Sequence, residues 1–131
     1  MTRDGLRPQY QAMGELSVEQ MPPMLAQMYA AVSPDSPEHF KVVFDRLRSS
    51  WTSDLALSMD RLGEVSTPTL VIMGDGDIPS VEHARNISGR LADAQLAIVP
   101  DTSHALTMEK PDLVNRLILD FLTDPQTPKM F

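Results

Sequence analysis

Thr69-Leu70-Val71-Ile72-Met73 runs directly into Gly74-Asp75-Gly76-Asp77, and Gln95-Leu96-Ala97-Ile98-Val99 runs into Pro100-Asp101-Thr102-Ser103-His104. Each apolar run is short, continuous and bounded by turn residues, the pattern of a strand buried on both faces. Between them, Val81, Ala84, Ile87 and Leu91 form one face of a helix. After the second run, Pro111 opens a helix whose stripe is Leu113, Val114, Leu117, Ile118, Phe121 and Leu122. Strand, helix, strand, helix is the order of an α/β fold with two parallel strands, flanking helices and right-handed crossovers.

Upstream the chain changes character. Residues 1–16 are polar and without a period, and read as a loop or truncated end. Residues 17–65 read as a helical segment. Ser17 and Gln20 fit a capping box, and Pro22-Pro23 interrupts or restarts the helix. Met24, Leu25, Met28, Tyr29 and Val32 then follow at helical spacing. Ser36 and Pro37 open a second helix with Phe40, Val43, Phe44, Leu47 and Trp51 on one stripe. A short third helix is expected over Met59–Leu62, capped by Ser58 and stopped by Gly63. Residues 66–122 carry the strands and their helices, and 123–131 form a polar tail expected to fray.

The chain has 131 residues, 42% of them apolar, a formal charge of −7 and no cysteine. Length allows one domain at most. The acidic balance argues against nucleic acid and against an anionic membrane surface. The lack of cysteine excludes disulfides, thiolate metal sites and a cysteine nucleophile. The first residues lack the apolar run of a signal peptide, and no stretch approaches the roughly 18 apolar residues of a membrane span. A cytoplasmic protein is the expectation.

Parallel strands deliver their C-terminal ends to one edge of a sheet, where open α/β folds bind ligands. Asp77 lies four residues past Met73 and His104 five past Val99, so both side chains can share one rim. A carboxylate beside an imidazole fixes its tautomer and stabilises the imidazolium formed when it takes a proton. Asp75 competes with Asp77 for that place. The plainer alternatives are a turn carboxylate for Asp77 and a backbone-bonded loop histidine for His104. His39 and His83 fall within helices as surface or packing residues, with His83 nearer the rim. Asp75-Gly76-Asp77 starts like a calcium loop, but Ile78-Pro79-Ser80 breaks it. Gly74 and Gly76 start like a dinucleotide loop, which Pro79 leaves incomplete. Neither a metal nor a cofactor is expected. No serine sits in a Gly-x-Ser-x-Gly elbow.

Pro68 to Asp77 resembles the acid-bearing segment of α/β-hydrolase-fold enzymes, and Thr102-Ser103-His104 resembles their histidine loop. Glu109-Lys110-Pro111 leading to Phe121-Leu122 resembles their closing helix, and residues 17–62 more loosely resemble their helical cap. The resemblance implies the C-terminal portion of that fold, with Asp77 as triad acid through its Gly-x-x-Asp pattern and His104 as triad base. Asp101 stands where glycine is common before the histidine, which implies a left-handed backbone that aspartate tolerates. The implied activity is hydrolysis of a small ester-like substrate by a Ser-His-Asp relay. Its serine, elbow and oxyanion donors would lie upstream, on the order of a hundred residues away from a complete domain. The alternative is a catalytically inactive truncated remnant, or a binding or pairing module. Partners follow accordingly: a small-molecule substrate, with self-association or a complementing chain to cover two strands that cannot bury themselves.

Overall fold

A computed structural model describes residues 5–52 and 58–123. They form two compact units. One comprises residues 8–52, and the other joins Gly5–Arg7 to residues 58–123. The expected fraying of the tail beyond Thr123 and the side chain of Trp51 lie outside the described residues.

The second unit carries the sheet. Strands β1 (Thr69–Gly74) and β2 (Ala94–Val99) pair in parallel, with Thr69 opposite Ala94 and Gly74 opposite Val99. Helix α3 (Val81–Arg90) makes the crossover. Its N-terminus is capped by Ser80, whose hydroxyl accepts the His83 N–H at 3.1 Å. A short helix α4 (Leu106–Glu109), not expected from the sequence, precedes the long α5 (Pro111–Thr123). Val99, Leu106 and Val114 make the buried core, with Ile72 and Leu117 packed against it.

The strands are less buried than their composition implies. β1 is half-buried over Thr69–Ile72 and buried only at Met73 and Gly74, while β2 is buried only at Val99. The expected apolar face of α5 is also only partly used: Val114 is buried, but Leu113, Ile118 and Leu122 are exposed. The cause is geometric. Two strands about 5 Å apart present less width than a helix about 10 Å across, so one row of α5 finds cover and its flanks do not.

In the first unit, α1 (Pro23–Val32) restarts at the second proline, and α2 (Phe40–Thr52) follows a 3₁₀ turn at Pro37–His39. Ser17 and Gln20 bracket another 3₁₀ turn, in which the Ser17 N–H donates to Gln20 Oε1 at 2.8 Å. Phe44 is buried, with the rings of Tyr29, Phe40 and Phe44 in sequence along one seam. The rest of the expected α1 stripe differs: Met24, Leu25, Met28 and Val32 are exposed, as is Leu47 of α2. Among the described residues of its unit, α1 packs chiefly against α2 and the 3₁₀ turn at Pro37–His39, too little surface to cover a whole stripe. The expected third helix is a 3₁₀ turn, Met59–Glu64, in the second unit, and Gly63 lies inside it rather than stopping it. Ser58 caps it by accepting the Asp60 N–H at 3.3 Å.

Candidate functional site

The parallel register sets Gly74 opposite Val99, so the loops leaving β1 and β2 emerge side by side. Backbone and side-chain bonds then stitch them together. Asp75 N–H donates to the Val99 carbonyl at 3.0 Å and Gly76 N–H to the Thr102 carbonyl at 2.9 Å. The buried Thr102 hydroxyl donates to the Val99 carbonyl at 2.9 Å. Gly74 is where the loops come closest. A Cβ there would stand 2.6 Å from Thr102 Oγ1 and 2.7 Å from the Ser103 carbonyl oxygen, closer than any side chain tolerates.

This seam brings His104 to Asp77. His104 Nδ1 lies 2.7 Å from Asp77 Oδ1. The Asp77 side chain is 6% exposed and that of His104 68%. The carboxylate is anchored by its own turn, accepting the Ile78 N–H at 2.6 Å on Oδ1 and the Gly74 N–H at 3.4 Å on Oδ2. With a carboxylate as acceptor, Nδ1 carries the hydrogen, and Nε2 is the ring nitrogen left to accept a proton.

Asp75, the other acid of the loop, goes elsewhere. It is exposed, and its Oδ1 accepts the Thr102 N–H at 3.3 Å. Bonds from the Asp101 and then the Thr102 backbone hold its carboxyl below the usual range. Its job is to tie the two loops. Asp101 has φ of 53°, the left-handed turn that redirects the chain into Thr102.

The histidine loop has a second anchor that the sequence reading did not assign. Glu109 accepts the Ser103 N–H and the Ser103 hydroxyl, each at 2.6 Å. Those two bonds, the hydroxyl first, hold its carboxyl below the usual range. Ser103 Oγ in turn accepts the Ala105 N–H at 3.2 Å, which fixes the peptide that follows His104. Lys110 Nζ donates to the Pro100 carbonyl at 2.7 Å. The only signal in the sequence was Glu109-Lys110 before Pro111, which marks a helix boundary and says nothing of these contacts.

The remaining histidines stand apart. His83 is buried in α3, and burial pushes its imidazole below the ordinary value. His39 Nδ1 lies 2.8 Å from the Tyr29 hydroxyl in the first unit. Among the described residues no group of three His, Cys, Asp or Glu side chains could hold a metal ion, and no helix is long and apolar enough to cross a membrane.

No family model matches this chain. A Synechocystis sp. protein with the provisional name of non-heme chloroperoxidase is 37% identical over 75 residues, covering 56% of this chain and 26% of that protein. The 2-hydroxy-6-oxo-6-phenylhexa-2,4-dienoate hydrolase of Burkholderia cepacia is 39% identical over 66 residues, 49% of this chain and 23% of the enzyme. Among solved structures, a serine hydrolase involved in carbazole degradation superposes with a TM-score of 0.62 at 21% identity, covering 93% of this chain and 47% of that one. The meta-cleavage product hydrolase of Pseudomonas fluorescens IP01 gives 0.60 at 24% identity, covering 82% and 40%. The chain belongs to the α/β-hydrolase superfamily. It spans about a quarter of the length of the curated relatives it matches, and this stretch corresponds to the C-terminal portion of the fold.

Proposed function

We propose that this chain is the acid-and-base part of a serine hydrolase for small ester-like substrates, with His104 as general base, Asp77 as its orienter and the nucleophile supplied from outside these 131 residues. One observation carries the reading: an exposed imidazole bonded through Nδ1 to a buried, backbone-anchored carboxylate at 2.7 Å. Hydrolase relatives support the reaction class.

The chemistry follows. A serine hydroxyl attacks the acyl carbon while its proton moves to His104 Nε2. The Asp77 carboxylate steadies the imidazolium. As the tetrahedral adduct collapses, the carbon–oxygen bond to the leaving alcohol breaks, and the alcohol takes that proton. Water then attacks the acyl-serine and passes a proton through Nε2 to the departing serine oxygen, releasing the carboxylic acid. A cytoplasmic setting suits a chain with this charge and no cysteine.

The test is complementation. The chain is assayed on p-nitrophenyl butyrate alone and after co-expression with an N-terminal hydrolase fragment that carries a Gly-x-Ser-x-Gly elbow. The chain alone is expected to be silent and the complex active, with turnover lost in His104→Ala. Turnover by the chain alone would place the nucleophile within it. Complex turnover indifferent to His104→Ala would end the relay reading. A second reading, an inert remnant or a pairing module, draws on the exposed apolar flanks of α1 and α5. It predicts a folded complex with no turnover at all.

A further inference from the structure

The acid loop is held from a distance by three residues near the start of the chain. Gly5, Leu6 and Arg7 run antiparallel to Ile78–Ser80, with Leu6 bridging to Pro79. Proline has no N–H to give, so the bonds come from the positions on either side. Arg7 N–H donates to the Ile78 carbonyl at 3.1 Å, and Ser80 N–H donates to the Gly5 carbonyl at 2.8 Å. The Arg7 guanidinium reaches across to the carbonyl of Asp75. Asp75, Ile78 and Ser80 are thus each tied to this segment, and together they straddle Asp77.

The segment seats on a fixed surface. Gly5 is buried, and a Cβ on it would lie 2.5 Å from His83 Nδ1 and 2.6 Å from Cγ. His83 cannot swing aside freely: its side chain is buried, and its backbone is fixed in the first turn of α3, where the main-chain N–H donates to Ser80 Oγ. Only glycine allows the strand to approach the ring so closely.

We infer that Gly5–Arg7 is a strap that positions the Asp77 carboxylate, with Arg7 as a positioning residue and the buried His83 ring as the seat. The inference rests on the relay reading of Asp77 and His104. The physical reason is tolerance. Asp77 lies in a turn whose only internal ties are its bonds to Ile78 and Gly74, and a displacement of about 1 Å in such a group costs on the order of a hundredfold in rate. By fixing the carbonyl of Ile78 the strap holds the residue whose N–H, in the preceding peptide, anchors Asp77 Oδ1.

The experiment is NMR on the full chain, with two readouts. Exchange of the Ser80 amide reports the strap, and the low-field Nδ1–H resonance of His104 reports its bond to Asp77. In Gly5→Ala the Ser80 amide is expected to exchange about tenfold faster, and the His104 resonance to broaden or shift upfield. His83→Ala added to Gly5→Ala makes room for the new methyl and is expected to restore both. Arg7→Ala is expected to move the His104 resonance with the fold intact, and Arg7→Lys to recover part of it. That variant decides the matter if Gly5→Ala fails to fold. A His104 resonance present in the unaltered chain and unmoved by any of these variants overturns the strap alone. Failure of His83→Ala to restore Gly5→Ala overturns the seat. Absence of the resonance in the unaltered chain, with Ser80 protected, overturns the relay reading and the positioning role with it.

Discussion

Each unit of the molecule holds a histidine beside an aspartate, and the two pairs are built differently. In the second unit, His104 meets Asp77 at 2.7 Å across two loops, and the acid is 6% exposed. In the first, His39 meets Asp35 at 3.2 Å on neighbouring turns of chain, and the acid is 56% exposed. Asp77 also holds two backbone N–H groups, whereas Asp35 shares its oxygen with the Tyr29 hydroxyl at 3.4 Å. Proximity alone is therefore not what distinguishes a relay. A dry, anchored acid cannot rotate away or be screened by water, and an exposed one does both.

The largest effect expected from breaking this contrast is on turnover. In an active complex, Asp77→Asn keeps the shape of the turn but replaces the acceptor that fixes the His104 tautomer. The expected loss in kcat is on the order of 10⁴-fold. Asp35→Asn in the same complex is expected to leave kcat unchanged. Equal losses from the two substitutions would show that burial is not the deciding difference.

The seam that joins the two loops comes next. Gly74→Ala puts a methyl against the Thr102 hydroxyl and the Ser103 carbonyl, and backbone on both sides leaves little room to yield. The expected cost is about 1–3 kcal/mol in urea denaturation, with exchange of the Gly76 amide accelerated because its bond to Thr102 opens. Glu109→Gln tests the other anchor more gently. It keeps the size of the side chain but turns one of two acceptors into a donor facing Ser103. The His104 Nδ1–H resonance is expected to broaden while the unfolding midpoint moves little.

Legibility in the sequence followed the same divide. The two runs ending in Gly74 and Val99 announced parallel strands, because continuous apolar stretches closed by turn residues leave few alternatives. Asp77 and His104 could be named because a register of parallel strands converts sequence distance into a shared edge. The contacts that hold them could not. Glu109 acts through a loop bond that no period encodes, and Gly5–Arg7 reaches Asp75 from 68 positions away. Burial was misjudged for a related reason. Composition says that Leu70–Met73, the α5 stripe and the α1 stripe want cover, but not how much surface the chain provides. Two strands are too narrow for α5, and among the described residues α1 has chiefly α2 and a turn beside it.

The smallest effect expected is pH-dependent and belongs to neither pair. Burial pushes the His83 imidazole below its ordinary value of 6.5. Between the lowered folded value and 6.5, the unfolded chain binds a proton on His83 that the folded chain does not. Stability must then fall as pH drops through 6.5, and go on falling until the folded value is passed. Replacing the ring by His83→Leu removes that proton from both states. Urea midpoints measured at about pH 7.5 and pH 5.5 should therefore fall less in His83→Leu than in the unaltered chain, whatever the other histidines contribute, since they are common to both. An equal fall in the two proteins would mean that the ring is as free to take a proton in the folded state as in the unfolded one. It would then be no fixed seat for Gly5.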